Sequence, residues 1–463
     1  MNRLFLYTSN FFLIFSLLLN CSGELKVNDG WSRVPLILAE IKPPQFNEQS
    51  FNIIDFGAKA DGVTLNTVAF MLAIDACNKA GGGTVIVPQG TFLTGAIHLK
   101  SNVNLYISKN AVVLFSMETN DYLPVVKTRF EGVEFMNYSP FIYAYGQENI
   151  AVTGSGVIDG QASDENWWIW KGKNEFGWDK TKPSGVDNVK KLYQMGEDNI
   201  PVEERVFGEG YFIRPNFVQF YNCKNILIDS ITIKRSPMWI IHPVLSENIT
   251  ISNIKVISHG PNNDGCNPES SKNVLIKNCY FDTGDDCIAI KSGRNGDGRR
   301  INVPSENIIV QECIMKDGHG GVVMGSEMSG SVRNVFIENC IMDSPNLERA
   351  LRIKTNSLRG GIVEDIYMRN CTIGEVSDAV IKVNFLYEKG DVGEFTPAVR
   401  NIFVENIKSK KSVYAIYLEG YERSPIRNLH ITNSSFFGAE KGNYLKYYEN
   451  LILDNVSING ERQ

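Results

Sequence analysis

Four short stretches carry the residues best suited to proton transfer on a charged ligand. HGPNNDGC holds Asn262 and Asp264, FDTGDDC holds the adjacent Asp285 and Asp286, KDGHGG holds His319, and LRIK holds Arg352 and Lys354. Crowded carboxyl groups cannot all ionise comfortably, so one keeps its proton and becomes a general acid. Carboxyls ~5 to 10 Å apart span the separations used to hydrolyse glycosidic bonds, by either stereochemical course. A guanidinium and an ammonium beside them suit a ligand that carries its own carboxylate. An isolated acid pair is an ordinary turn before a strand. Catalysis requires something that brings the four stretches together.

A repeat does so. From residue 149 onward, phrases such as KNILIDSITI, ENITISNIKV, KNVLIKNCYF and RNVFIENCIM recur. Their second residues fall at Asn149, Asn225, Asn248, Asn273, Asn307, Asn334, Asp365, Asn401, Asn428 and Asn450. After the first gap the spacing is 22 to 36 residues. Each phrase reads as a short alternating strand, a polar turn and a second short strand. Such a period without helical patterning predicts an all-β solenoid, a right-handed parallel β-helix. His242 lies 17 residues after its start and Asp264 lies 16 after its own; Asp285 and Asp286 lie 12 and 13, His319 12, Arg352 18 and Lys354 20. Coils stacked ~4.8 Å apart therefore gather them in one column on one face. The glycines around them keep that face open and let the backbone bend, so that both members of the acid pair aim outward.

Further columns support the stack. Asn253, Asn278, Asn339, Asn370, Asn406, Asn433 and Asn455 occupy a turn position that suits left-handed backbone and amide stacking. Cys279, Cys313, Cys340 and Cys371 alternate with isoleucine and valine in the next column, as buried free thiols would. Thr67–Lys79 reads as an amphipathic helix capping the open N-terminal end of the solenoid. An insertion at 161–215 carries Trp167, Trp168, Trp170 and Trp178, as packing against the barrel or as an aromatic wall for a sugar. The repeat domain runs from 51 to 460.

The formal charge of −6 on 463 residues argues against nucleic acid as a partner. At the start, Arg3 precedes the apolar run Phe11–Leu19, too short to span a bilayer, so residues 1–22 read as an export signal. Cys21 resembles a lipidated cysteine, although Asn20 departs from the small residue usual before one. The expected setting is therefore outside the cytoplasm, periplasmic or attached to an outer membrane in a Gram-negative cell, and otherwise secreted. The expected state is a monomer with no transmembrane segment.

NNDG, GDDC, GHGG and RIK, in that order on a β-helix, resemble the polygalacturonases of glycoside hydrolase family 28. The resemblance implies hydrolysis of α-1,4 galacturonosyl bonds in pectin, with inversion and with neither metal nor cofactor. It makes Asp285 the general acid, has Asp264 and Asp286 hold and deprotonate the attacking water, and lets His319 tune the acid or touch the sugar. It gives Arg352 and Lys354 the galacturonate carboxylate and has Asn262 line the site. Asn263 stands where the family usually has threonine. His242, Arg294 and Tyr417 are further candidate substrate contacts; Arg299, Arg300 and Tyr421 are weaker ones, and His98 and His430 read as structural. A wall formed by the Trp-rich insertion and residues 109–138 favours exo action. The alternatives are a rhamnogalacturonan or xylogalacturonan hydrolase of the same family, a calcium-dependent pectate lyase, and a non-catalytic carbohydrate-binding β-helix.

Overall fold

In the computed structural model, which describes residues 30–463, each recurring phrase becomes two strands separated by a corner. Lys272–Lys277 and Tyr280–Thr283 are one such pair. Each strand lies parallel to its counterpart in the next coil, and the register is continuous through Ile249, Val274, Ile308, Val335 and Ile366. The expected right-handed parallel β-helix is present. The side chains in this row are inward and buried, because alternate residues of a strand face opposite sides.

Asparagine fixes the corners at two positions. At the column expected from the sequence, Asn253, Asn278 and Asn370 have φ of 53° to 56°, and Asn278 donates its amide to Asn253 at 2.7 Å. The second residue of each phrase behaves in the same way. Asn149, Asn225, Asn248, Asn273, Asn307 and Asn334 have φ of 54° to 59° and form an unbroken amide ladder at 2.9 to 3.4 Å. Asparagine tolerates this left-handed backbone better than other side chains do, and each side-chain amide donates to the Oδ1 of the asparagine in the preceding coil. The cysteines also match expectation: all eight in the described residues are buried free thiols. Cys21 and the leader lie outside the described residues.

The third face carries the site. Its strands include Val218–Tyr221, Ile241–Val244, Ile288–Ile290, Val322–Gly325, Arg349–Lys354, Ala379–Asn384 and Tyr414–Glu419. Between Ile241–Val244 and Ile288–Ile290 the coil containing Asp264 makes only isolated bridges, through Cys266 and Glu269. The ladder thins where the chemistry-bearing loop leaves it.

Helix Thr67–Lys79 buries Ala69, Phe70, Ala73, Ile74 and Cys77 over the N-terminal end, as expected. The chain from 161 to 215 leaves the solenoid and contains helix Val186–Glu197. That helix packs with the hairpin Val126–Phe130/Val133–Asn137 around a satellite core of Phe130, Val133, Phe135, Leu192, Phe207, Ile213, Met238 and Trp239. The segment Gly30–Glu40 was not foreseen as structure. Its Val34 and Ile37 pack on the outer side of the first sheet, against Ile309, Phe336 and Tyr367. Arg33 is held there by Asn334 Oδ1 at 2.6 Å and by Tyr367 Oη at 2.7 Å.

Candidate active site

Backbone register sets the depth of each carboxyl. Cys266, Ile288, Val322 and Leu351 form an inward row. Asp264 and Asp286 lie two residues before the first two of these, at the point where the chain turns into the face. Asp285 comes one residue earlier, and the bend after Gly284 turns it toward the surface. Gly318 leaves room for this turn, because a Cβ there would sit 2.5 Å from the Asp285 carbonyl oxygen. The oxygens of Asp264, Asp285 and Asp286 come within 4.8 Å of one another. The column read from the sequence is real.

Cations hold the two deeper acids. Asp286, 0% exposed, accepts from Lys354 Nζ at 2.7 Å and lies 3.6 Å from Arg352. Asp264, 2% exposed, accepts from Asn267 Nδ2 at 2.8 Å and lies 3.4 Å from Lys291. Lys291 is tied in turn to Glu327 at 3.0 Å. Asp285 instead meets His319 Nδ1 at 3.0 Å, on an imidazole that is 47% exposed.

These settings separate the carboxyls. Burial, with Asp285 nearby, pushes Asp264 well above the usual carboxylate range, and Lys291 only partly offsets it. Burial also opposes ionisation of Asp285, but the hydrogen bond and charge of His319, with Lys354 and Lys291, outweigh it and hold that acid low. The bond to Asp285 raises His319 to about 9. Of these two acids Asp264 is the one that favours its proton, whereas the resemblance has Asp285 deliver it. Lys354 and Lys291 are among the groups that depress Asp285. Both lysines also lower Asp264, so a carboxylate that draws on their charge raises the two acids together.

A pocket of ≈ 230 Å³ opens over Asp264 and Asp285, lined also by Glu131, Lys171, Trp239, Asn262, Tyr387 and Glu388. Asn262 lines it as expected, and its Oδ1 accepts from Lys171 at 2.6 Å and from Arg214 at 2.8 Å. Asn263 is buried and fastens the loop, accepting from Ser258 at 2.6 Å and from Gly260 N at 2.8 Å.

Of three further expected substrate contacts, His242 is corrected, and Arg294 and Tyr417 lie outside the lining of the pocket. His242 shares the outward row of Asn267, Ala289, Val323 and Arg352, but the hairpin 126–137 roofs it over. It is 0% exposed, bonded through Nε2 to Glu269 at 2.7 Å and through Nδ1 to Asn216 and Gln219. Arg294 spends its charge on Glu327 at 3.4 Å and Glu131 at 3.5 Å, with its guanidinium 3.9 Å above the Tyr193 ring. Tyr417 continues the row of Arg352 and Lys382, two coils beyond Arg352, and its hydroxyl bonds to Glu419 at 2.8 Å. That places Tyr417 on the catalytic face but outside the lining of the pocket. Arg299 and Arg300 belong to helix Asn295–Ile301 and are paired, and Tyr421 is buried. His98 and His430 pack against Tyr143 and Phe403, as structural residues would.

The tryptophans are chiefly packing. Trp167 and Trp170 are buried in the main core, and the Trp168 indole donates to Ser236 O at 2.8 Å. Sequence reading missed Lys291, Glu327, Tyr387 and Lys171. Lys291 had a usable signal: a lysine ending an apolar strand, in the same row as Lys354 through Gly325. Glu327 lies 20 residues after Asn307, the offset of Lys354 from Asn334, and Tyr387 lies 22 after Asp365; only Lys171, in the insertion, has no periodic relation to the acids.

Comparison with known proteins agrees with the fold and identifies the family. The profile described as "Glycosyl hydrolases family 28" matches residues 209–453. The chain belongs to that family. The first part of this family 28 member, residues 50–112, matches "Rhamnogalacturonase A/epimerase, pectate lyase-like". It is 30% identical over 413 residues to a "Probable polygalacturonase" of Vitis vinifera, covering 85% of this chain and 75% of that one. It is also 30% identical over 373 residues to the "Exo-poly-alpha-D-galacturonosidase" of Dickeya chrysanthemi, covering 75% of this chain and 59% of the relative. Among solved structures, a hyperthermoactive exopolygalacturonase from Thermotoga maritima superposes with a TM-score of 0.91 at 48% identity, covering 94% of this chain and 97% of its own.

Proposed function

We propose that this family 28 glycoside hydrolase is an exo-acting polygalacturonase, cleaving α-1,4 galacturonosyl bonds with inversion. The observation that carries the reading is the division of labour in the trio. Two acids are deep and locked by cations, while the third lies at the surface beside His319, within reach of a glycosidic oxygen. Asp285 protonates that oxygen. Asp264 and Asp286 hold the water, and the proton this water releases returns to the trio. Lys291, Lys354 and Arg352 already supply the positive charge that a metal would bring to these oxygens, and Arg352 and Lys354 also meet the galacturonate carboxylate.

Exo action is supported by the enclosure of the pocket. Glu131 and Lys171 reach it from the hairpin and the insertion of earlier coils, and Tyr387 and Glu388 from a later one. The names of the Dickeya and Thermotoga relatives point the same way. Inversion rests on the family and not on the spacing, because the oxygens lie within 4.8 Å, closer than the roughly 6.5 to 9.5 Å usual for inverting pairs. No helix among the described residues is long and apolar enough to cross a membrane. With residues 1–22 read as an export signal, the proposed setting is outside the cytoplasm, on pectin fragments.

The test is incubation with polygalacturonate and with rhamnogalacturonan, followed by mass analysis and proton NMR of the first product. Mono- or digalacturonate of β configuration, with slow loss of viscosity, is expected. Early mixed oligomers would refute exo action, an α product would refute inversion, and cleavage of rhamnogalacturonan alone would move the substrate to the alternative branch.

A further inference from the structure

The catalytic acids have their cations in place, which raises the question of where positive charge is left over. Arg352 and Lys354 face Asp286, Lys291 faces Asp264 and Glu327, and Arg294 faces Glu131 and Glu327. Lys171 and Arg214 differ. Neither forms an ion pair among the described residues. Both instead converge on one neutral acceptor, Asn262 Oδ1, at 2.6 and 2.8 Å. Arg214 is buried, and its other bonds go to the backbone oxygens of Pro237 at 2.9 Å and Pro261 at 2.5 Å. Burial lowers the pKa of both, Arg214 to about 10, since Glu131 and Asp285 are too far away to compensate fully.

Two cations leaning on an amide at the rim of a pocket for acidic sugars are poised for an anion. Lys171 ends the helical turn Trp167–Lys171, which buried Trp167 and Trp170 anchor in the core. The Trp168 ring lies against Gly260, where a Cβ would stand 2.3 Å from the indole. The insertion is thus keyed to the loop that carries Asn262 and Asp264, and the ammonium group is aimed from a rigid mount.

We infer that Lys171, backed by Arg214 and oriented by Asn262, binds the carboxylate of the uronate residue at the closed end of the cleft, making the Trp-rich insertion a selector for de-esterified chain ends. This rests on the galacturonan-hydrolase reading. The arriving carboxylate takes the Lys171 bond from Asn262 Oδ1, while Arg214 keeps the amide in place.

The experiment compares trigalacturonate with trigalacturonate methyl-esterified only at the terminal residue that meets the insertion, in wild type, Lys171→Met and Lys171→Arg, after thermal unfolding midpoints confirm folding. Wild type should prefer the acid. Lys171→Met should cut kcat/KM on the acid roughly 10- to 100-fold, as for losing one charge-assisted hydrogen bond. Turnover of the ester should barely change, and Lys171→Arg should restore most of the preference. An equal loss on both substrates, or an unchanged acid-to-ester ratio, overturns the selector. Calorimetry with galacturonic acid monomer provides a readout independent of turnover. If wild type cleaves neither substrate, the hydrolase reading fails, yet monomer binding that Lys171→Met weakens supports the carboxylate site and unaffected binding overturns it.

Discussion

Two histidine–carboxylate pairs stand on the same outer face, and they are in opposite states. His242 and Glu269 are sealed at 0% exposure with Arg129, which lies 3.2 Å from Glu269. His319 and Asp285 lie at the pocket surface. Burial drives the His242 pKa down despite its glutamate, leaving the imidazole neutral with Nε2–H donating to Glu269. His319 is raised to about 9 by Asp285 and stays cationic at neutral pH. The residue types are alike, so solvent access is what separates the neutral imidazole from the charged one.

Four substitutions or titrations sharpen or break that contrast. Asp285→Asn should lower kcat by roughly 10²- to 10⁴-fold, the usual range for a general acid, with the fold retained by circular dichroism. Retention of turnover would end the assignment of Asp285. Glu269→Ala leaves Arg129 and His242 buried without their carboxylate, and should cost about 3–5 kcal/mol of stability by chemical denaturation. If the loss appeared in kcat instead, the sealed cluster would be catalytic after all.

His319→Ala should reduce kcat more modestly, about 10-fold, and remove an alkaline fall in activity centred near pH 9 in wild type. An unchanged pH profile would leave His319 without a tuning role. The smallest effects are on stability against pH, and their signs are opposite. The His319 contribution is complete below 6.5 and fades as pH rises through about 9. His242, whose pKa is lowered, contributes above 6.5, and that contribution is lost as the pH falls below it. Differential scanning calorimetry of each histidine-to-alanine variant against wild type separates the two. Parallel slopes would contradict the contrast.

The same pair of clusters shows what a sequence can disclose. Coil register is local information, repeated every few tens of residues, so the asparagine starts were enough to align Asp264, Asp285, Asp286, Arg352 and Lys354. They also placed His242 on the correct face. What hides His242 is a hairpin from residues 126–137, and no periodicity links that segment to residue 242. Lys171 is concealed in the same way, in an insertion whose tryptophans advertise packing and whose one aimed lysine does not stand out. Arg294 reads as a basic loop residue until Glu131, Glu327 and Glu388 are seen around it. Roofs and walls are long-range facts.

The segment Gly30–Glu40 has a mechanical consequence. It lies over Leu275, Ile309, Phe336, Tyr367 and Phe403, one residue from each of five successive coils in register. On their opposite side those coils carry Asp285 and Asp286, His319, Arg352 and Lys354, Tyr387, and Tyr417. A stack whose members touch only their neighbours can otherwise splay at any single joint. A brace bolted across the back makes these turns yield together or not at all, and so guards the spacing of the acids on the front.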